Sequence, residues 1–531
     1  MTFTSKNKKA TTGNSAYTLL ENRYVKVLAL LLALIYSLYE YSWGLWIIDN
    51  YYWINSSKLW KETPMTILSL WSMNVWHDLF GQTLIANRML AWVLNSMTVF
   101  LACWIFINKQ QRKEYWYYLC GAFIILGPGI AKICTPECQS SLLVLLLIGC
   151  IWSYRCSDHK IVWLILLSTL TALVVAFRFP NIVSIPFIMV YLLMETIDRR
   201  KGVMVAVTYL ILSLLLYWAI MAIAMDTTNV VGEISESFRH ASEASNGRHS
   251  IIGLLLRYCK SILLSLIACM VIWGVWKSVD IMKNKQFIVR YVLPSFVGII
   301  ILYLIYNLAD YAHHSWTVCL PSILAISLVY CAFKEWKWHN YYKTNWLLFL
   351  TAMLFVPSAG SDTGFYKSII LTCAFAPYAI SVTSQYVEKS KIAMTFIIVL
   401  ITSMSFCNQR AYYHRYTTDI KPMRHILWEK WKIEDREKLN KDIEPFLRKG
   451  CTTFYGIEAH YLYCATGNNI PCNSFWMDKN DIKEINRITV ASREHHQKVL
   501  IDLTKSDTCL FVSRGLRLKA EEEQFNVYEV K

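Results

Sequence analysis

Along most of its length the chain alternates long apolar runs with short polar connections. Apolar runs long enough to cross a bilayer as helices fall near 27–47, 84–107, 115–131, 138–154, 161–177, 182–196, 203–225, 261–276, 288–307, 316–333, 344–357, 367–384 and 391–406. This pattern predicts a polytopic transmembrane helical fold of about 13 spans, two or three of them short. Beyond about Asn408 the pattern changes to charged helices and short apolar stretches. There 423–448 reads as an amphipathic helix, 452–455, 499–503, 508–512 and 525–530 as strands, and 458–465 and 480–495 as helices. The division expected is therefore a membrane domain over 1–407 and a small α/β domain over 408–531.

Composition agrees with the pattern. The chain has 531 residues, 55% hydrophobic and only 17% charged, which excludes an ordinary soluble core. A net charge of +16 would suit a nucleic-acid partner, but its distribution does not. The basic residues gather in alternate connections: 22 on one side against about ten on the other. By the positive-inside rule this predicts an inner-membrane protein with a cytoplasmic N-terminus. An odd number of spans then puts the C-terminal domain outside. The first apolar run is long and lacks a small-residue cleavage site, so it reads as a retained span rather than a signal peptide.

The outer side also collects the chemistry. The stretch 47–88 is too polar to span and too apolar for an ordinary loop. Tyr51, Trp53, Leu59, Trp60, Ile67, Leu70, Trp71 and Trp76 recur at roughly helical spacing, which predicts helices lying in the interface. It opens on Asp49, a carboxylate solvated at low cost where a membrane helix meets water. Asp49-Asn50-x-Tyr52, a Thr63-Pro64 turn, Phe80-Gly81 and Arg88 before the second helix follow in that order. Together they resemble the first loop of GT-C glycosyltransferases, in the branch of protein mannosyltransferases and bacterial aminoarabinose transferases. Members of that branch usually show Asp-Glu and Pro-Pro; Asn50 replaces the Glu here and Met65 the second Pro. The resemblance implies an enzyme with its site on the outer face and a sugar donor linked to polyprenyl phosphate. Asp49 would then be general base on an acceptor hydroxyl, and the aromatic residues beside it, Tyr52 among them, would contact the sugar.

Five later connections face the same way. In the second, Gly127 to Cys138, Pro136 and Glu137 suit a helix start. The resemblance offers Glu137 a second role, orienting the acceptor or a divalent cation. Cys134 and Cys138 flank it, as an oxidisable pair or as free thiols. Arg178, in Phe177-Arg178-Phe179-Pro180-Asn181, either snorkels or pairs with a phosphate, for which a guanidinium has bidentate geometry. The fourth connection, 226–249, is polar and punctuated by Ser, Gly and Asn, as a solvated loop or a mobile lid would be. In Asp310-Tyr311-Ala312-His313-His314, adjacent histidines on a helix point about 100° apart, so a polar substrate contact suits them better than joint metal ligation. In Gly360-Ser361-Asp362-Thr363-Gly364 the backbone can form an anion-binding nest. Cations for the leaving phosphate would come from Lys58, Lys61, Arg88, Lys132 and Arg178.

Cys451, Cys464, Cys472 and Cys509 lie in the tail, paired or free. No Walker A, nucleophile-elbow, dinucleotide or zinc motif occurs, and no nucleotide-sugar domain fits the short inner connections. Two other readings keep the polytopic pattern: an O-antigen-type polymerase or ligase, with its catalytic Arg and His in a large late loop, and a lipid or solute transporter, with ionisable groups inside its spans. Here the late loops are short, the first is rich, and the charges gather at one face.

Overall fold

The computed structural model describes residues 23–42, 47–106, 134–196, 198–227, 229–244, 251–282, 315–361, 364–383, 385–386, 415–456, 458–472 and 481–531, with short pieces between 284 and 301. The windows at 115–131 and 391–406, and most of 288–307, lie outside them.

The membrane half is built from helices α1 (Arg23–Tyr41), α2 (Ile47–Lys58), α3 (Ile67–Phe80), α4 (Leu84–Phe106), α5 (Pro136–Cys156), α6 (Lys160–Phe177), α7 (Ser184–Glu195), α8 (Arg199–Met225), α9 (Val230–Ala244), α10 (Ile251–Ile281), α11 (Ser315–Lys337), α12 (Tyr341–Leu354) and α13 (Ile369–Thr383). Among the described residues, four helices are long and apolar enough to cross a membrane: α4, α5, α6 and α8. Their shared core includes Ile148, Val175, Ile188, Tyr209, Met353 and Phe375, while α8 leaves Val203, Ile211 and Leu215 exposed, as a lipid-facing helix does.

Two differences from the sequence reading have physical causes. The helix of the first apolar run, α1, ends at Tyr41, before the predicted 47. Tertiary bonds take over the backbone there, with Arg88 Nη1 donating to the Tyr41 carbonyl at 2.9 Å and the Leu427 amide to the Ser42 carbonyl at 2.9 Å. Ile47 and Asp49 consequently belong to the following helix. The span expected at 261–276 begins earlier and ends later, as one continuous helix, α10, with no Pro to break it.

The tail has a small antiparallel ribbon, β1 (Arg415–Tyr416) with β2 (Trp428–Glu429), and a four-stranded sheet of β3 (Thr452–Tyr455), β4 (Val499–Asp502), β5 (Arg517–Glu521) and β6 (Asn526–Glu529). The sheet order is β3-β4-β6-β5, parallel between β3 and β4 and antiparallel elsewhere. Four helices complete it: α14 (Lys430–Ile443), α15 (Ala459–Thr466), α16 (Ile482–Glu494) and α17 (Thr508–Val512). The strand expected over 508–512 is thus a helix, started by the Asp507 side chain accepting from the Cys509 amide at 3.0 Å. The four tail cysteines, like Cys134 and Cys138, are free thiols.

The tail's apolar core does not close on itself. Tyr51 and Ile54 of α2 and Leu84 of α4 complete it beside Tyr461, Leu462 and Phe454. The Tyr51 hydroxyl donates to the Pro422 carbonyl at 3.2 Å, and its ring meets Tyr461 edge-on at 5.5 Å. Asn55 Nδ2 donates to the His460 carbonyl at 2.7 Å, while its Oδ1 accepts from Cys464 Sγ at 3.2 Å. The first loop and the tail therefore lie at the same end of the bundle.

Candidate active site

At that end, three separate turns bring charge together. Pro136 sets the first turn of α5 and places Glu137 where the chain enters the bundle. Arg178 follows the last residue of α6 in extended conformation, and Pro180 starts the short 3-10 helix Phe179–Val183 behind it. Lys367 stands in the 3-10 helix Gly364–Ser368 that leads into α13. The turns are pressed together closely enough that a Cβ at Gly360, whose φ is +71°, would lie 2.9 Å from the Pro180 ring.

Arg178 Nε lies 3.4 Å from Glu137 Oε1, and Lys367 Nζ lies 3.8 Å from the same oxygen. Asn181 steadies the arginine, its Oδ1 accepting from Nη1 at 3.4 Å while its Nδ2 donates to Ser140 Oγ at 2.8 Å. Glu137 Oε2 is buried and has no hydrogen-bond partner among the described residues. Glu137 and Arg178 are only 8% and 6% exposed, so the cluster carries two cations against one carboxylate in a site largely shielded from water. Each such ion costs several kcal/mol to desolvate. Chemically, the site can take an anion on its cationic side and a hydroxyl or amine donor on Oε2.

Neighbouring contacts tie this cluster to the first loop. The Cys134 amide donates to Asn87 Oδ1 at 3.0 Å, next to Arg88. Gln139 Nε2 donates to the Ser69 carbonyl at 3.2 Å, and its Oε1 accepts from Ser72 at 2.9 Å, so α3 lies along the start of α5.

The other predicted residues are spread more widely. Asp49 is the third residue of α2, and its side chain lies outside what is described, as do Lys132, His313, His314, Asp362 and Thr363. Arg88 is buried and serves the Tyr41 carbonyl. Lys58 closes α2 near His77 and Cys464. Burial, helped by the Lys58 charge, pulls His77 down to about 4, so it is neutral at pH 7, with Nδ1 3.1 Å from Ser57 Oγ. Lys61 lies over the Trp60 ring at 5.4 Å. Ser361 is buried and its amide donates to the Ser358 carbonyl at 3.1 Å, which removes that N–H from an anion nest. Tyr52, expected to contact the sugar, is buried with its ring edge-on to Trp53 at 4.9 Å and His460 at 5.2 Å.

Lys367 is the partner that the sequence did not single out. Its only signal was a cation one turn after the Gly-Ser-Asp-Thr-Gly segment. Among the described residues no group of three or more metal-ligating side chains occurs.

No protein-family profile and no curated protein matches this chain. Among solved structures, it is similar to the oligosaccharyltransferase of Archaeoglobus fulgidus in complex with zinc and sulfate, at 11% identity over 89% of this chain and 67% of that one, TM-score 0.45. The apo form of that enzyme gives 10% identity over 90% and 70%, TM-score 0.46. ArnT from Cupriavidus metallidurans bound to undecaprenyl phosphate gives 10% identity over 98% and 99%, TM-score 0.40. Likenesses of this size carry no argument about activity.

Proposed function

We propose that this chain is a membrane glycosyltransferase that moves a sugar from a polyprenyl-phosphate donor to a hydroxyl acceptor at the extracytoplasmic face. The observation that carries the proposal is the Glu137–Arg178–Lys367 cluster, in which, among the described residues, one carboxylate faces two cations. A lipid phosphate supplies the missing anion, and Arg178 and Lys367 stabilise it as it leaves. Lys367 here joins the cations suggested by sequence. With both cations on Oε1, Glu137 is assigned to holding them and to accepting a hydrogen bond from the acceptor at Oε2.

In the reaction, Asp49 takes the proton of the acceptor hydroxyl. The oxygen attacks the anomeric carbon from the face opposite the phosphate. The carbon–oxygen bond to phosphate breaks, the electron pair leaves with the phosphate, and the configuration inverts. The first-loop resemblance supports Asp49 in this role, and α2 is held over this end of the bundle by the tail.

The test is donor use by Arg178 variants. Arg178→Ala is expected to weaken it by on the order of 1.5–3 kcal/mol, a charge-assisted contact, and Arg178→Lys by clearly less. Unchanged donor affinity and turnover in the alanine variant would refute the phosphate site. A second test addresses orientation, which the charge bias sets with the first loop and the tail outside. In a background without native cysteines, single cysteines in α9 and in the tail should react with an impermeant reagent added from outside. Labelling only from the cytoplasm would reverse the assignment.

A further inference from the structure

The opposite end of the bundle carries a second surface. There α11 and α12 form a hairpin held by one buried carboxylate: Glu335 Oε2 accepts from Asn340 Nδ2 at 2.9 Å, and Oε1 accepts from Lys343 and Tyr386. Asn340 caps α12 by accepting from the Lys343 amide at 3.3 Å. Asn345 Nδ2 donates to the Met194 carbonyl at 3.3 Å, which sets the turn between α7 and α8 beside the hairpin.

On this rigid frame the outward side of α11 changes character within two turns. Val329, Tyr330 and Phe333 are exposed and apolar, as along a lipid chain. Lys334 then lies over the Tyr330 ring at 5.4 Å, and Lys337 over the Phe333 ring at 4.6 Å. Trp336 and Trp338, 52% and 65% exposed, stand at the same level. Neither lysine has a carboxylate partner among the described residues, and neither do Arg199, Arg200 and Lys201 at the neighbouring turn. Amphipathic rings at the end of an apolar helix mark the headgroup level of a membrane, and unpaired cations beside them favour negative charge.

We infer that the α11–α12 hairpin is a docking surface for anionic phospholipid, with acyl chain along Val329–Phe333 and headgroup on Lys334 and Lys337. This site is separate from the proposed phosphate site at the other end, and it does not depend on sugar transfer.

The test uses the purified full chain in neutral detergent, titrated with phosphatidylglycerol or phosphatidylcholine and read by thermal midpoint and by lipid retained in native mass spectrometry. Phosphatidylglycerol is expected to raise the midpoint and to be retained where phosphatidylcholine is not. Lys334→Gln with Lys337→Gln should weaken the apparent phosphatidylglycerol affinity on the order of tenfold, while Lys334→Arg with Lys337→Arg keeps it. An equal response to the two lipids, or an unchanged one in the double glutamine variant, overturns the proposal. If the glutamine variant does not fold, the wild-type chain decides: its preference for phosphatidylglycerol should fall as salt rises, and a salt-insensitive preference overturns the proposal.

Discussion

Asp49→Asn is expected to reduce sugar transfer by about 10²–10⁴-fold, the usual cost of losing a general base, in a protein that folds as before. The competing account is that Asp49 only favours the start of α2, where it occupies the first turn. A carboxylate in that position interacts with the helix dipole by about 0.3–1 kcal/mol. That is at most a factor of about five in any equilibrium, far short of the rate loss expected of a base. The helix itself is fixed from its other end, through Tyr51, Ile54 and Asn55 against the tail, so its placement does not hang on Asp49. Transfer assays with purified variant and a lipid-phosphate sugar decide the matter. A folded Asp49→Asn chain with near-normal turnover would remove Asp49 from the chemistry.

The second large effect belongs to Glu137. Glu137→Gln keeps the shape and leaves Arg178 and Lys367 facing each other without a carboxylate. Stranding buried charge by removing one partner costs about 3–5 kcal/mol, so the thermal midpoint should drop markedly. An added polyprenyl phosphate should then restore more stability to the variant than it gives the wild type, because it replaces the lost negative charge. A variant as stable as the wild type, or one indifferent to the phosphate, would show that the cluster is neither strained by its excess cation nor open to an anion.

Much of this arrangement was legible before the structure, and the exceptions are instructive. The strand at Thr452–Tyr455 matches its predicted bounds because Gly450 before it and Gly456 after it punctuate an apolar run. Thr508–Val512 looks alike in composition, and short apolar runs do not reveal their period; only the capping carboxylate of Asp507 makes it helical. Strand β5, Arg-Leu-Lys-Ala-Glu, was invisible for the opposite reason. It is an exposed edge whose charges blunt further pairing rather than fill a core. In the site, Glu137 and Arg178 stood out as charges at helix ends, whereas Lys367 gains its meaning from a carboxylate 230 positions earlier, a pairing no local pattern encodes. Nor does local sequence reveal that Tyr52 meets the His460 ring, a neighbour 408 positions later.

The bond from Tyr51 to Pro422 spans 371 positions of sequence. At roughly 5–20 residues per second, the ribosome makes the tail some 20–75 s after α2. During that interval Tyr51 and Ile54 have no core to enter, and the helix bearing Asp49 is held only from its other side, where Ser57 meets His77 of α3. A chain that stops early would thus lack the half of the Tyr51 core that the tail supplies, so the placement of α2 is completed only when the last part of the chain is made.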